Sequence, residues 1–127
     1  MLGLGHDVVD VPAFAKQLNE PGTRMRNLFS MREIWQTAQR SQLKHDDEAV
    51  HLAARWAGKE AFLKAAGTGL REPFALREIE ALRLESGAPA YRFSGPAAAW
   101  VAEHGLRAHL SLSHEGGMAL AFCVLET

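Results

Sequence analysis

The sequence predicts an α+β domain, a mostly antiparallel sheet packed against one long helix. Three observations carry that prediction. Glu48 to Ala66 mixes alanines, aromatics and charged residues at helical spacing and ends at Gly67-Thr68-Gly69. Ala108–Ser113 and Met118–Leu125 read as strands joined by His114-Glu115-Gly116-Gly117, a hairpin signal. Glu80–Leu84 and Ala90–Phe93 form a second such pair around the turn Ser86-Gly87-Ala88-Pro89.

The remaining elements follow in chain order. Residues 2–10 read as a short strand with glycines near its start. Pro12 suits the first turn of a helix over Val11–Leu18, and Asp10 suits its cap. Asn19 to Thr23 is a turn cluster. Ser30 and Glu33 make a capping box, which predicts a helix from Met31 to about Arg40. Ser41 to Asp47 is polar and reads as a loop. Ala75 to Ile79 suggests a helical turn, and Pro96 starts a helix ending near Gly105. The sequence shows no internal repeat, linker or low-complexity tract.

Composition narrows the function. The 127 residues fit one domain, and 47% hydrophobic content supports an ordinary core. A net charge of −1 gives no bulk case for nucleic acid or an anionic membrane. Any anionic ligand must therefore be held by local cations. Cys123 is the one cysteine and lies in an apolar run, so it reads as a core residue. No signal peptide or membrane span is evident, and a cytoplasmic location is expected.

Chemistry concentrates on the long helix. At about 100° per residue, Glu60 and Lys64 lie about 40° apart, beside Ala53, Ala57 and Ala61. Small neighbours leave room for something to approach the carboxylate and the ammonium. Glu60 reads either as a metal ligand or as the partner of Lys64 in a surface ion pair. His51, Arg55 and Lys59 form an i, i+4 ladder on another side, which reads as a solvated face or as a source of cations for a polyphosphate. Asp7 follows Gly3 and Gly5, in an apolar strand where an unpaired carboxylate is costly. It reads as a metal ligand or as a strand-end aspartate. Two carboxylates without cysteine or paired histidines favour Mg²⁺ over Zn²⁺. Ser111-Leu112-Ser113-His114 leads into a turn without a nucleophile elbow, so a Ser–His nucleophile fits poorly.

Three blocks together carry a resemblance. Trp56-Ala57-Gly58-Lys59-Glu60-Ala61 with Lys64-Ala65, Gly5-His6-Asp7, and Ser111-Leu112-Ser113-His114 resemble the holo-acyl-carrier-protein synthases, the small type of 4′-phosphopantetheinyl transferase. The resemblance implies that fold, and Mg²⁺ held by Asp7 and Glu60 with the coenzyme A diphosphate. It also implies Lys64 at the phosphates or leaving group, and Arg55 and Lys59 among the coenzyme A contacts. It further implies a homotrimer in which Gly87, Pro89, Ser113 and His114 of a neighbouring subunit complete the cofactor wall. The implied reaction moves the phosphopantetheine arm of coenzyme A to a serine of acyl carrier protein. Other readings of the same residues are a Mg²⁺-dependent phosphohydrolase and a non-catalytic nucleotide-binding oligomer. Two positions depart from the family pattern. Ala88 stands where a basic residue is common in the turn, and Ala13 where an arginine meets the carrier protein. Lys16, Arg24 and Arg26 are the nearby cations able to replace it.

Overall fold

The structure, a computed structural model, describes residues 3–67 and 74–127. Thr68 and Gly69 of the expected helix stop lie outside them. Strand β1 (Gly3–Asp10) runs into helix α1 (Val11–Leu18). Helices α2 (Met31–Lys44) and α3 (Glu48–Ala66) follow, then strands β2 (Ile79–Arg83) and β3 (Pro89–Phe93). Helix α4 (Gly95–Glu103) and strands β4 (Arg107–Glu115) and β5 (Met118–Glu126) complete the fold.

Local chemistry explains the boundaries. Asp10 accepts from the Ala13 amide at 3.0 Å, so it caps α1. Ser30 and Glu33 exchange the expected reciprocal bonds at the start of α2. That helix reaches Lys44, one turn beyond the expected end, and stops where His45 turns left-handed at φ 56°. The polar segment after Arg40 therefore continues the helix, because side-chain polarity alone does not break one. Gly67, at φ 77°, ends α3. Gly116 and Gly117 both adopt positive φ in the β4–β5 turn, as a two-residue hairpin requires.

The strands form two sheets rather than one. All pairings are antiparallel, in the order β1-β5-β4 and, separately, β2-β3. Helix α3 joins them, packing on β1, β5, β4 and β2. It is buried on nearly every side. Ala57, Ala61 and Phe62 face a core with Ile79 and Cys123, and Leu52 and Ala53 face a second with Phe14, Leu18 and Phe29. Tyr91 of β3 donates its hydroxyl to the Gly58 carbonyl of α3 at 2.6 Å.

The small residues of α3 have a structural use that corrects the sequence reading. Their space is filled by β1, not left for a ligand. A Cβ on Gly5 would collide with the Ala61 carbonyl and lie 2.6 Å from the Ala65 nitrogen. Gly5→Ala should therefore push β1 off α3 and lower the thermal midpoint, whereas Ala at exposed Gly22, which faces open space, should cost only its φ strain. Equal midpoints in a melting experiment would contradict this packing account.

Candidate active site

Strand alternation sets the site. Gly3, Gly5 and Asp7 share the face of β1 that looks at α3, while Leu4, His6 and Val8 look outward. Close packing at Gly5 draws Asp7 alongside the helix. There Lys64 donates to Asp7 Oδ1 at 2.9 Å, across 57 positions of sequence. Lys64 thus pairs with Asp7 rather than with Glu60 as the i, i+4 spacing suggested. Asp7 and Glu60 line one open cavity of about 600 Å³ together with Phe14, Met25, Leu28 and Trp56.

Electrostatics make this a strained corner. Burial, and then the negative charge of Asp7, push the Glu60 carboxyl above its usual range, and Lys64 opposes that shift. The sign of the linkage is fixed by that direction. A raised carboxyl favours the folded state fully below the ordinary value of 4.5, and this support is lost as pH rises through the folded value. Glu60→Gln should therefore be more stable than the parent at neutral pH, with the gain fading below about pH 4.5. Melting curves across pH read this directly.

The donor set fits Mg²⁺. Among the described residues no group of three His, Cys, Asp or Glu side chains forms a closed metal cage. Two carboxylates beside an open cavity are what Mg²⁺ takes when phosphate and water supply its other ligands. The unfavourable proximity of Asp7 and Glu60 is the feature a divalent cation would relieve.

The other expected residues are spread elsewhere. Lys59 is corrected most sharply. Its ammonium is 0% exposed and donates to Glu33 Oε1 at 2.6 Å and to the carbonyls of Leu76 and Ile79 at 2.8 and 2.7 Å. It is committed to the core and offers nothing to a cofactor. His51 and Arg55 are buried too, so the ladder is not a solvated face. Arg55 borders a second cavity with Gly87 beside the β2–β3 turn, and Pro89 begins β3 next to it. Ser113 and His114 are exposed near the end of β4, with the His114 ring edge-on to His51 at 5.8 Å. The chain therefore unites Asp7, Glu60 and Lys64, and leaves buried Arg55 with Gly87 at the second cavity and Ser113 and His114 on another surface.

Sequence reasoning missed the apolar wall of the site. The apolar side of α1 is the signal that could have found Phe14, and Trp56 stands inside the helix motif itself. Nothing local announced that Met25 and Leu28, on a short 3₁₀ turn, close the cavity.

A family model described as the 4′-phosphopantetheinyl transferase superfamily matches residues 3–123. A holo-[acyl-carrier-protein] synthase of Bifidobacterium adolescentis is 54% identical, with 99% of both chains covered. One from Geotalea daltonii is 41% identical over 98% of this chain and 97% of its own. Among solved structures, the Chronobacterium ammoniagenes ACPS–CoA complex aligns with a TM-score of 0.86 and 35% identity, covering 97% of this chain and 95% of that one. The holo-[acyl-carrier-protein] synthase of Neisseria meningitidis aligns with a TM-score of 0.86 and 32% identity, covering 100% and 99%.

Proposed function

This chain belongs to the 4′-phosphopantetheinyl transferase superfamily, and on that premise we propose the activity its site supports. The protein is a holo-[acyl-carrier-protein] synthase. It transfers the 4′-phosphopantetheine arm of coenzyme A to a serine hydroxyl of apo acyl carrier protein. Adenosine 3′,5′-bisphosphate is the other product. The observation that carries this reading is the meeting of Asp7 and Glu60 on one cavity, with Lys64 at their side.

Asp7 and Glu60 would hold Mg²⁺, which when bound neutralises charge on the diphosphate. Glu60 lies in a half-buried position whose raised carboxyl suits proton transfer, so it accepts the serine proton. Lys64 is exposed at the rim and free to swing from Asp7 to the departing phosphate. Phe14, Met25, Leu28 and Trp56 give the apolar surface against which the pantetheine arm lies.

The separation of site residues within one protomer favours an assembly of copies. The outward face of β1 and β5 supplies a surface for it: Leu4, Val8 and Phe122 are 55%, 48% and 49% exposed. We place the neighbour's Gly87, Pro89, Ser113 and His114 against Asp7 and Glu60 in a homotrimer. The acidic carrier protein would dock beside α1, where Lys16 and Arg24 are exposed, whereas Arg26 is already paired with Glu48 at 2.5 Å. No helix of the described residues is long and apolar enough to cross a membrane, and the unpaired Cys123 suits the cytoplasm.

Incubation of apo acyl carrier protein with coenzyme A and Mg²⁺, followed by mass measurement, tests the function. The carrier protein should gain the phosphopantetheine arm. Coenzyme A breakdown without that gain would replace transfer by hydrolysis.

A further inference from the structure

Buried His51 takes no part in the site assembled from Asp7, Glu60 and Lys64. It occupies the first turn of α3, is 2% exposed, and lies with Nε2 2.7 Å from Asp46 Oδ1 in the α2–α3 corner. On β4 the row Ala108, Leu110 and Leu112 is half-buried against α3, and a Cβ on Gly58 would meet both leucines at 3.5 Å. His114 continues that row at the end of the strand. There its ring meets His51 edge-on, at 89° and 5.8 Å between centroids.

Little else holds the His114 ring. It is exposed, makes no hydrogen bond among the described residues, and borders a small cavity of about 70 Å³ with Val50, Glu115 and Gly117. Packing alone leaves it room to turn. His51, by contrast, is fixed. Burial lowers its imidazole below the usual 6.5; the hydrogen bond and charge of Asp46 oppose that, and the charges of Arg55 and His114 add to it. A neutral imidazole beside a carboxylate, which can only accept, must carry its proton on Nε2. Asp46 therefore sets both the tautomer and the plane of the ring beneath His114. An uncharged ring there also spares a proton on His114 the repulsion of a second imidazolium.

We propose that Asp46 and His51 are positioning residues for coenzyme A binding: the carboxylate orients the buried imidazole, and the imidazole holds the His114 ring in the attitude in which it meets the substrate. Neither member of the pair touches coenzyme A itself. This rests on the transfer reading above, in which His114 completes a neighbouring copy's cofactor wall. It also gives a use to a buried polar side chain at a helix position that an apolar one would fill without needing a partner.

The test is a double-mutant cycle on the full-length enzyme. Asp46→Ala and His51→Leu are each made in the parent and in a His114→Ala background, and coenzyme A affinity is measured by calorimetry with Mg²⁺ and no carrier protein. In the parent background each should weaken coenzyme A binding about three- to tenfold, the worth of one orienting hydrogen bond. With His114 already removed, neither should cost anything more. Asp46→Asn keeps an acceptor for Nε2 and should bind like the parent. KM for coenzyme A should follow the same pattern while kcat stays near that of the parent. Losses of equal size in both backgrounds would overturn the assignment. So would full affinity in the Asp46→Ala or His114→Ala enzyme, or an Asp46→Asn variant no better than Asp46→Ala. Should His51→Leu fail to fold, half-buried Asp46 carries the cycle alone. Coupled losses in an enzyme that never loads carrier protein would leave the pair standing and remove the transfer reading instead.

Discussion

Replacing Lys59 by methionine is expected to destabilise the protein by about 3–5 kcal/mol, the usual cost of stranding one partner of a buried ion pair. A domain of this kind has about 5–15 kcal/mol in all, so a large share of its stability is at stake. The physical cause is Glu33, which is also 0% exposed. Its Oε1 takes the Lys59 ammonium and the Ser30 amide, and its Oε2 takes the Ala81 amide at 2.9 Å. One carboxylate thus ties the start of α2 to α3 and β2. Without the ammonium it faces the interior as an uncompensated charge. Urea denaturation of Lys59→Met, Glu33→Gln and the double variant would show strong non-additivity, because each single change strands what the other removes. Additive losses would mean that the two side chains act independently.

The second large effect is on turnover. Glu60→Gln should lower kcat by about 10²–10⁴-fold, the range expected when a positioned proton acceptor is lost, while the fold survives. Glutamine keeps the shape and removes both the negative charge and the basic oxygen. Asp7→Asn should reduce activity too and shift the Mg²⁺ titration to higher concentration. These effects separate from structural damage because Glu60→Gln is expected to melt later than the parent at neutral pH. Near-normal turnover in Glu60→Gln, or an unmoved Mg²⁺ titration in Asp7→Asn, would remove the corresponding role.

Much of this arrangement was legible along the chain, and the limits follow from distance in sequence. Caps are local: Asp10, Ser30 with Glu33, and Gly67 each declare themselves within four residues, and the structure bears them out. Hairpins are local as well, so both strand pairs were readable from their turns. The division into two sheets was not, because it depends on how α3 wedges between them. Lys59 shows the same limit at one residue. Its partner sits 26 positions earlier and its two carbonyl acceptors 17 and 20 positions later, so its spacing on the helix suggested solvent and the fold gives burial. The pair Asp7 and Glu60 was accessible through residue chemistry and resemblance, while the reason they meet, the bare Cα of Gly5 against Ala61, needed coordinates.

Cys123 sits in the middle strand of the larger sheet, wholly buried, and burial raises its thiol to about 11. An alkylating reagent attacks thiolate, so in the native protein this sulfur is both out of reach and in the wrong charge state. Modification must wait for β5 to detach from its neighbours. Iodoacetamide uptake, followed by mass in native buffer, therefore times spontaneous opening of the sheet from a single internal reporter, with no engineered label.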